Sequence, residues 1–133
     1  VTVTDSTGAT ATASQAYTVQ FVNQAPIASL TGASSVLVNT VANFDGSTSY
    51  DPDGTTSLTF AFSTSIANST IDTQSASSTE TYSFTPTSAG QYTISLTVSD
   101  GNASTTTTKS LLASNSLALS NIFEKSVIIN HLF

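Results

Sequence analysis

Phe44-Asp45-Gly46-Ser47-Thr48-Ser49-Tyr50-Asp51-Pro52-Asp53-Gly54 decides how this chain is read, and Val98-Ser99-Asp100-Gly101 answers it further along. Each opens on an inward-type apolar residue, Phe44 or Val98, and runs into an Asp- and Gly-bearing turn. Asp and Asn close turns on their own backbone amides, and Gly takes the positive φ such turns need. Asp45, Asp51, Asp53 and Asp100 thus gather in two loops of a chain with very little charge, only 2 Lys and Arg against 8 Asp and Glu.

Working outward, the stretches between turns alternate with a period of two. Val36, Val38, Ala42 and Phe44 nearly alternate; Leu58, Phe60 and Phe62 do so strictly, as do Tyr82 and Phe84, and Tyr92, Ile94, Leu96 and Val98. Ile27–Leu30 reads as a first strand and Ala103–Leu112 as a last one. Residues 63–79 are polar, with Ile66 and Ile71 the large apolar exceptions, and read as an irregular connection with short strands. Short alternating runs with turn signals every 8–12 residues predict packed antiparallel sheets. Tyr92 follows Pro86 and Gly90 at the start of the strongest strand, where a tyrosine corner is expected: ring in the core, hydroxyl bonded back to the preceding loop.

The start of the chain echoes its end. Val1-Thr2-Val3-Thr4-Asp5-Ser6-Thr7-Gly8-Ala9-Thr10-Ala11-Thr12 reads like Leu96-Thr97-Val98-Ser99-Asp100-Gly101-Asn102-Ala103-Ser104-Thr105-Thr106-Thr107. The separation, about ninety residues, is the size of one sandwich unit. Residues 1–22 are therefore expected to be the closing hairpin of a preceding repeat, or an assembly strand, and 23–113 a complete unit. The tail, 114–133, is apolar and does not restart the repeat; Ser126–Asn130 could be a strand, or Leu119, Ile122, Phe123 and Ser126 one face of a short helix. The chain begins without Met or a signal-peptide pattern, and is expected to be a processed product or part of a longer protein.

Over almost all of 23–113 the sequence resembles a PKD (polycystic kidney disease) domain. The matching residues are Asn23-Gln24-Ala25-Pro26, Phe44-Asp45-Gly46-Ser47 with Ser49 and Asp51-Pro52-Asp53-Gly54, Leu58-Thr59-Phe60, Phe84-Thr85-Pro86 with Gly90 and Tyr92, and Leu96-Thr97-Val98-Ser99-Asp100-Gly101. The family's frequent Trp-Asp-Phe-Gly-Asp-Gly is replaced by Phe60-Ala61-Phe62-Ser63. A cadherin-like repeat is the second resemblance. The fold class expected is all-β, an immunoglobulin-like antiparallel β-sandwich of about seven strands.

In such a sandwich the linker Asn23–Ala25, the loop Asp45–Gly54 and the turn Asp100–Asn102 converge at the N-terminal pole. Carboxylates brought together repel unless a cation or donors intervene. Ca²⁺ takes 6–8 oxygen ligands, and Asn23, Asp45, Asp51, Asp53 and Asp100 are hard ligands of the right type. The resemblance implies the same, since some PKD-like domains bind Ca²⁺ near this pole. Plain turn formation by the same residues is the competing reading, and the terminal Glu of an EF-hand loop is missing.

A net charge of −6 leaves almost nothing to neutralise phosphates or anionic lipid, so neither nucleic acid nor membrane insertion is expected. Ser and Thr make up roughly a third of the chain, suiting exposed strands and turns, and with so little Lys and Arg this leans toward a secreted or cell-surface protein. No Cys is present, and the one His is His131, which offers no triad within the unit. Asp72 and Glu80 lack the aromatic platform of a glycosidase carboxylate pair. No enzyme activity is expected. Asn68-Ser69-Thr70 and Asn102-Ala103-Ser104 are glycosylation sequons.

Two functions remain. One is a structural spacer repeat of a surface, adhesive or filament-forming protein. It would be stiffened by Ca²⁺ and joined to neighbouring repeats or identical subunits by strand pairing. The other is a carbohydrate- or protein-binding accessory module of a secreted hydrolase, for polysaccharide or a surface protein, with Tyr50 the one aromatic placed in a loop.

Overall fold

The computed structural model describes residues 1–54 and 57–116. The strand and helix readings of the tail, and His131, lie outside the described residues. The described residues form an all-β structure of ten strands in three sheets. In chain order these are β1 (Thr2–Thr4), β2 (Thr10–Thr12), β3 (Thr31–Gly32), β4 (Ser35–Leu37), β5 (Ala42–Asp45), β6 (Thr59–Ile66), β7 (Ser69–Ser77), β8 (Thr81–Phe84), β9 (Gly90–Ser99) and β10 (Ser104–Ser114).

β1 and β2 form a hairpin of their own. The order β4-β10-β9-β6-β7 makes a five-stranded sheet, and β3-β5-β8 a three-stranded one. Alternation places one face of each on a shared core. Phe60 and Phe62 of β6, with Tyr92, Ile94, Leu96 and Val98 of β9, are buried from one side; Ala42 and Phe44 of β5 and Tyr82 and Phe84 of β8 are buried from the other. The rings meet across the interface: Phe62 stacks on Tyr82 at 5.3 Å between centroids, and Phe84 tilts against Tyr92 at 5.3 Å. Burial of each large side chain contributes about 1.5–3 kcal/mol, so these few strands carry most of the hydrophobic stabilisation.

Four expectations change. Ile27–Leu30 is not a continuous strand: Ile27 makes an isolated bridge to Tyr50, and regular pairing begins at Thr31. Residues 63–79 are not an irregular connection. They complete β6 and supply β7, nine residues long, closed by a turn with Ala67 and Asn68 at φ 48° and 64°. That is the two-residue hairpin turn whose twist matches the strands. Pairing is antiparallel except between β10 and β4, which run parallel with Leu112 opposite Ser35. Two sheets sharing the core hold eight strands rather than about seven. Among the described residues no helix is long and apolar enough to cross a membrane.

Candidate functional site: the acidic pole and its linker

The turn after β9 is built by Asp100. Its Oδ1 accepts from the backbone N–H of Asn102 at 2.7 Å and of Ala103 at 2.6 Å, and Gly101 takes φ 92°. Its other oxygen, Oδ2, accepts from the Asn23 side-chain amide at 2.8 Å. Asn102 reaches back to Asn23 Oδ1 at 3.5 Å, a long bond. The Ala103 amide first, then Asn23 and the Asn102 amide, hold the Asp100 carboxyl below its ordinary range because each favours the charged form.

The loop between β5 and β6 supplies the second contact. Asp51 Oδ1 accepts from the Asp53 amide at 2.8 Å, closing the Asp-Pro-Asp-Gly turn. Asp53 then faces the linker, taking the Gln24 backbone N–H on Oδ2 at 2.7 Å and the Gln24 side-chain amide on Oδ1 at 2.9 Å. Two consecutive linker residues are thus gripped by two different loops. Pro26, fully buried, fixes the backbone just after them.

The linker, loop and turn therefore meet, with Asn23 against Asp100 and Gln24 against Asp53. Asp45 stands apart from this pair of contacts. It lies on β5 opposite Thr31 and accepts from the Ser47 amide at 2.8 Å, which lowers its carboxyl from the ordinary value. Among the described residues, no three His, Cys, Asp or Glu side chains are grouped so that they could hold a metal ion. Tyr50 is 54% exposed, on a loop tied to Ile27 by two backbone bonds of 2.8 and 3.1 Å.

The tyrosine corner forms: the Tyr92 hydroxyl donates to Ser88 O at 2.8 Å while the ring is buried. A second polar device in the core was not anticipated. Thr64, fully buried, and Tyr82 share a 2.7 Å hydrogen bond, and the Tyr82 hydroxyl donates to Asp72 Oδ2 at 2.7 Å. Since the single phenol proton goes to the carboxylate, Thr64 is the donor to Tyr82. Burial, then the Asp72 acceptor, push the Tyr82 hydroxyl up to about 12. Asp72 is thus engaged as an acceptor for Tyr82, not as half of a pair with Glu80. The signal was present: Thr64 continues the inward series Phe60, Phe62 with a polar residue, and a polar residue there needs a partner.

The family model described as PKD domain matches residues 23–113. Among solved structures, the PKD domain of an M14-like peptidase from Thermoplasmatales archaeon SCGC AB-540-F20 superposes with a TM-score of 0.55. It has 22% identity and covers 69% of this chain and 98% of its own. The CARDB domain of the PF1109 protein from Pyrococcus furiosus, solved with di-metal ions, gives a TM-score of 0.49 at 17% identity, covering 74% of this chain and 95% of its own. No curated protein matches the chain. PKD domains are non-catalytic accessory modules, typically extracellular. The family match spans most of the chain and takes in the whole acidic pole, and the chain belongs to the PKD domain family.

Proposed function

We propose that this chain is an immunoglobulin-like sandwich module of a longer secreted or cell-surface protein. Its role is accessory: it sets the position of a neighbouring unit, such as the catalytic domain of a peptidase or other hydrolase. The likeness to a PKD domain taken from an M14-like peptidase supports that setting. The observation that carries the positional role is the grip on the linker. Asn23 and Gln24 are held by Asp100 and Asp53, so whatever precedes residue 23 leaves the module in a defined direction rather than from a free tether.

The test is ¹⁵N relaxation across residues 14–30. Residues 23–25 should be as ordered as β9 in the parent chain and loosen in Asp53→Ala with Asp100→Ala. Linker residues that already move freely in the parent would sink the positional role. A binding role is tested on the same samples by retention on insoluble polysaccharide. Retention that Tyr50→Ala abolishes would make the module a carbohydrate binder, and none would leave it a spacer.

The five oxygen-bearing side chains, Asn23, Asp45, Asp51, Asp53 and Asp100, are also the proposed Ca²⁺ ligands. Protein donors already serve Asp100, Asp53, Asp51 and Asp45, so a bound ion would act by stiffening an existing joint. Calorimetric Ca²⁺ titration decides this, because a ligand of the folded state must raise the melting temperature by mass action.

A second reading, a repeat within a surface or filament-forming array, draws support from the separate hairpin β1–β2.

A further inference from the structure

The hairpin β1–β2 repeats the strand pairing of the β9–β10 hairpin, around a turn one residue longer. Thr4 pairs with Thr10, Val3 with Ala11 and Thr2 with Thr12, as Ser99 pairs with Ser104, Val98 with Thr105 and Thr97 with Thr106. The Thr2 and Thr12 hydroxyls lie 3.1 Å apart, as those of Thr97 and Thr106 lie 2.8 Å apart. Asp5 Oδ1 collects the Thr7 and Ala9 amides as Asp100 Oδ1 collects those of Asn102 and Ala103. Each turn also holds one glycine at positive φ, Gly8 at 89° and Gly101 at 92°, at different positions after the Asp.

This register carries forward along the chain. If Thr10 stands at Ser104, then Tyr17 stands at Leu111, Thr18 at Leu112 and Val19 at Ala113. Val1 and Val3 likewise stand at Leu96 and Val98. In the complete domain Leu96, Val98 and Leu111 are fully buried and Ala113 nearly so. Their counterparts Val1, Val3, Tyr17 and Val19 are 84, 63, 86 and 82% exposed. Ala9, Ala11, Ala13, Gln15, Tyr17 and Val19 take the inward parity, and Thr10, Thr12, Ser14, Ala16, Thr18 and Gln20 the outward one; the polar break at Gln15 stands where Lys109 breaks the same series in β10. Such a stripe is a strand patterned for a core, and a lone hairpin does not bury it.

We infer that residues 1–20 are the closing strands of a second PKD-type unit, whose earlier strands cover the stripe formed by Val1, Val3, Tyr17 and Val19. The partner is a two-sheet unit with two open strand edges. One, corresponding to β6, pairs with β1. The other, corresponding to β4, takes residues 18–20 in parallel, as Ser35–Leu37 take Leu112–Ser114. A second copy of this chain does not fit, because its own β9 and β10 already fill both places. The inference rests on the reading of this chain as a module of a longer protein, and names the neighbour whose direction the linker sets.

The experiment places a copy of residues 23–95 directly before Val1 of the full chain, so that Val1 takes the position of Leu96. Amide hydrogen exchange is followed at residues 10–20, first in the chain alone and then in the fusion. Exchange should be fast in the chain alone and slow by about a hundredfold or more in the fusion, as for amides that open only with their whole unit. The added core is shaped for Leu and Ala where it now meets Tyr17 and Val19. A second fusion with Tyr17→Leu and Val19→Ala therefore restores those sizes. Fast exchange at 10–20 in both fusions would overturn the proposal. So would concentration-dependent protection in the chain alone, which would make a second copy the partner. Neither outcome touches the linker dynamics at 23–25, which test the positional role separately.

Discussion

The side-chain amide of Asn23 donates to Asp100 Oδ2 at 2.8 Å, joining the entry of the domain to the turn that nearly ends it, 77 positions later. This bond and the turn amides all favour the ionised Asp100. A carboxyl held low in the folded state stabilises it at pH above the ordinary carboxylate range, and that stabilisation is lost as pH falls through the folded value. Asp5 and Asp45 are lowered in the same way. Stability should therefore fall with acid from about pH 4 downward, and Asp100→Asn should flatten that acid limb. Urea midpoints between pH 2 and 7 measure it; an unchanged slope in the variant would remove Asp100 from the account.

Tyr92→Phe deletes the bond to Ser88 O and leaves the ring in place. The expected loss is about 1 kcal/mol, read from urea denaturation with an unchanged m-value. A loss far below this would mean that water satisfies the Ser88 carbonyl as well as the phenol does.

Thr64, Tyr82 and Asp72 form one chain of hydrogen bonds. Thr64→Val and Tyr82→Phe should each cost about 1–2 kcal/mol, and the double variant clearly less than their sum. Additive losses would show that the two hydroxyls act independently. Because the Tyr82 hydroxyl is pushed up to about 12, an absorbance titration should show a phenol ionising near that value that is missing in Tyr82→Phe. A phenol whose value is raised on folding stabilises the protein below its unfolded value. That contribution is lost as pH rises from about 10 toward 12.

Ala67 occupies a left-handed conformation, φ 48°, in the turn between β6 and β7. Ala67→Gly should raise stability by about 0.5–1 kcal/mol, because Gly takes that conformation without the Cβ penalty. Thermal unfolding checks it, and a loss of stability would mean that the Ala67 methyl contributes contacts that outweigh its strain.

Much of this was legible in the residues. The strict alternation of Tyr92, Ile94, Leu96 and Val98, and of Phe60 and Phe62, could hardly be read otherwise, since one face must be buried for the pattern to exist. The tyrosine corner followed from the position of Tyr92 after Pro86 and Gly90. β7 was missed because both of its faces are largely exposed, so Ser69–Ser77 carries no apolar alternation; its pairing comes from β6 beside it. The parallel pairing of β10 with β4 was missed because register between distant strands has no local signature. At the pole, the loops that meet could be named, but not the partner of each carboxylate. Gln24, which holds Asp53 by two bonds, attracts no notice as a sequence residue.

β7 is the outer strand of the five-stranded sheet, and its register against β6 slips twice, between Phe60 and Phe62 and between Thr64 and Ser65. Proteins commonly blunt such an edge with lysine, yet this chain has only 2 basic residues. Here the guard is geometric: slipped register twists the edge away from a flat template, and Ser and Thr keep it wetted. A guard made of shape is not screened by ions. The module should keep its edge closed to strangers in brine as well as in dilute buffer, a property suited to a unit exposed to whatever water surrounds it.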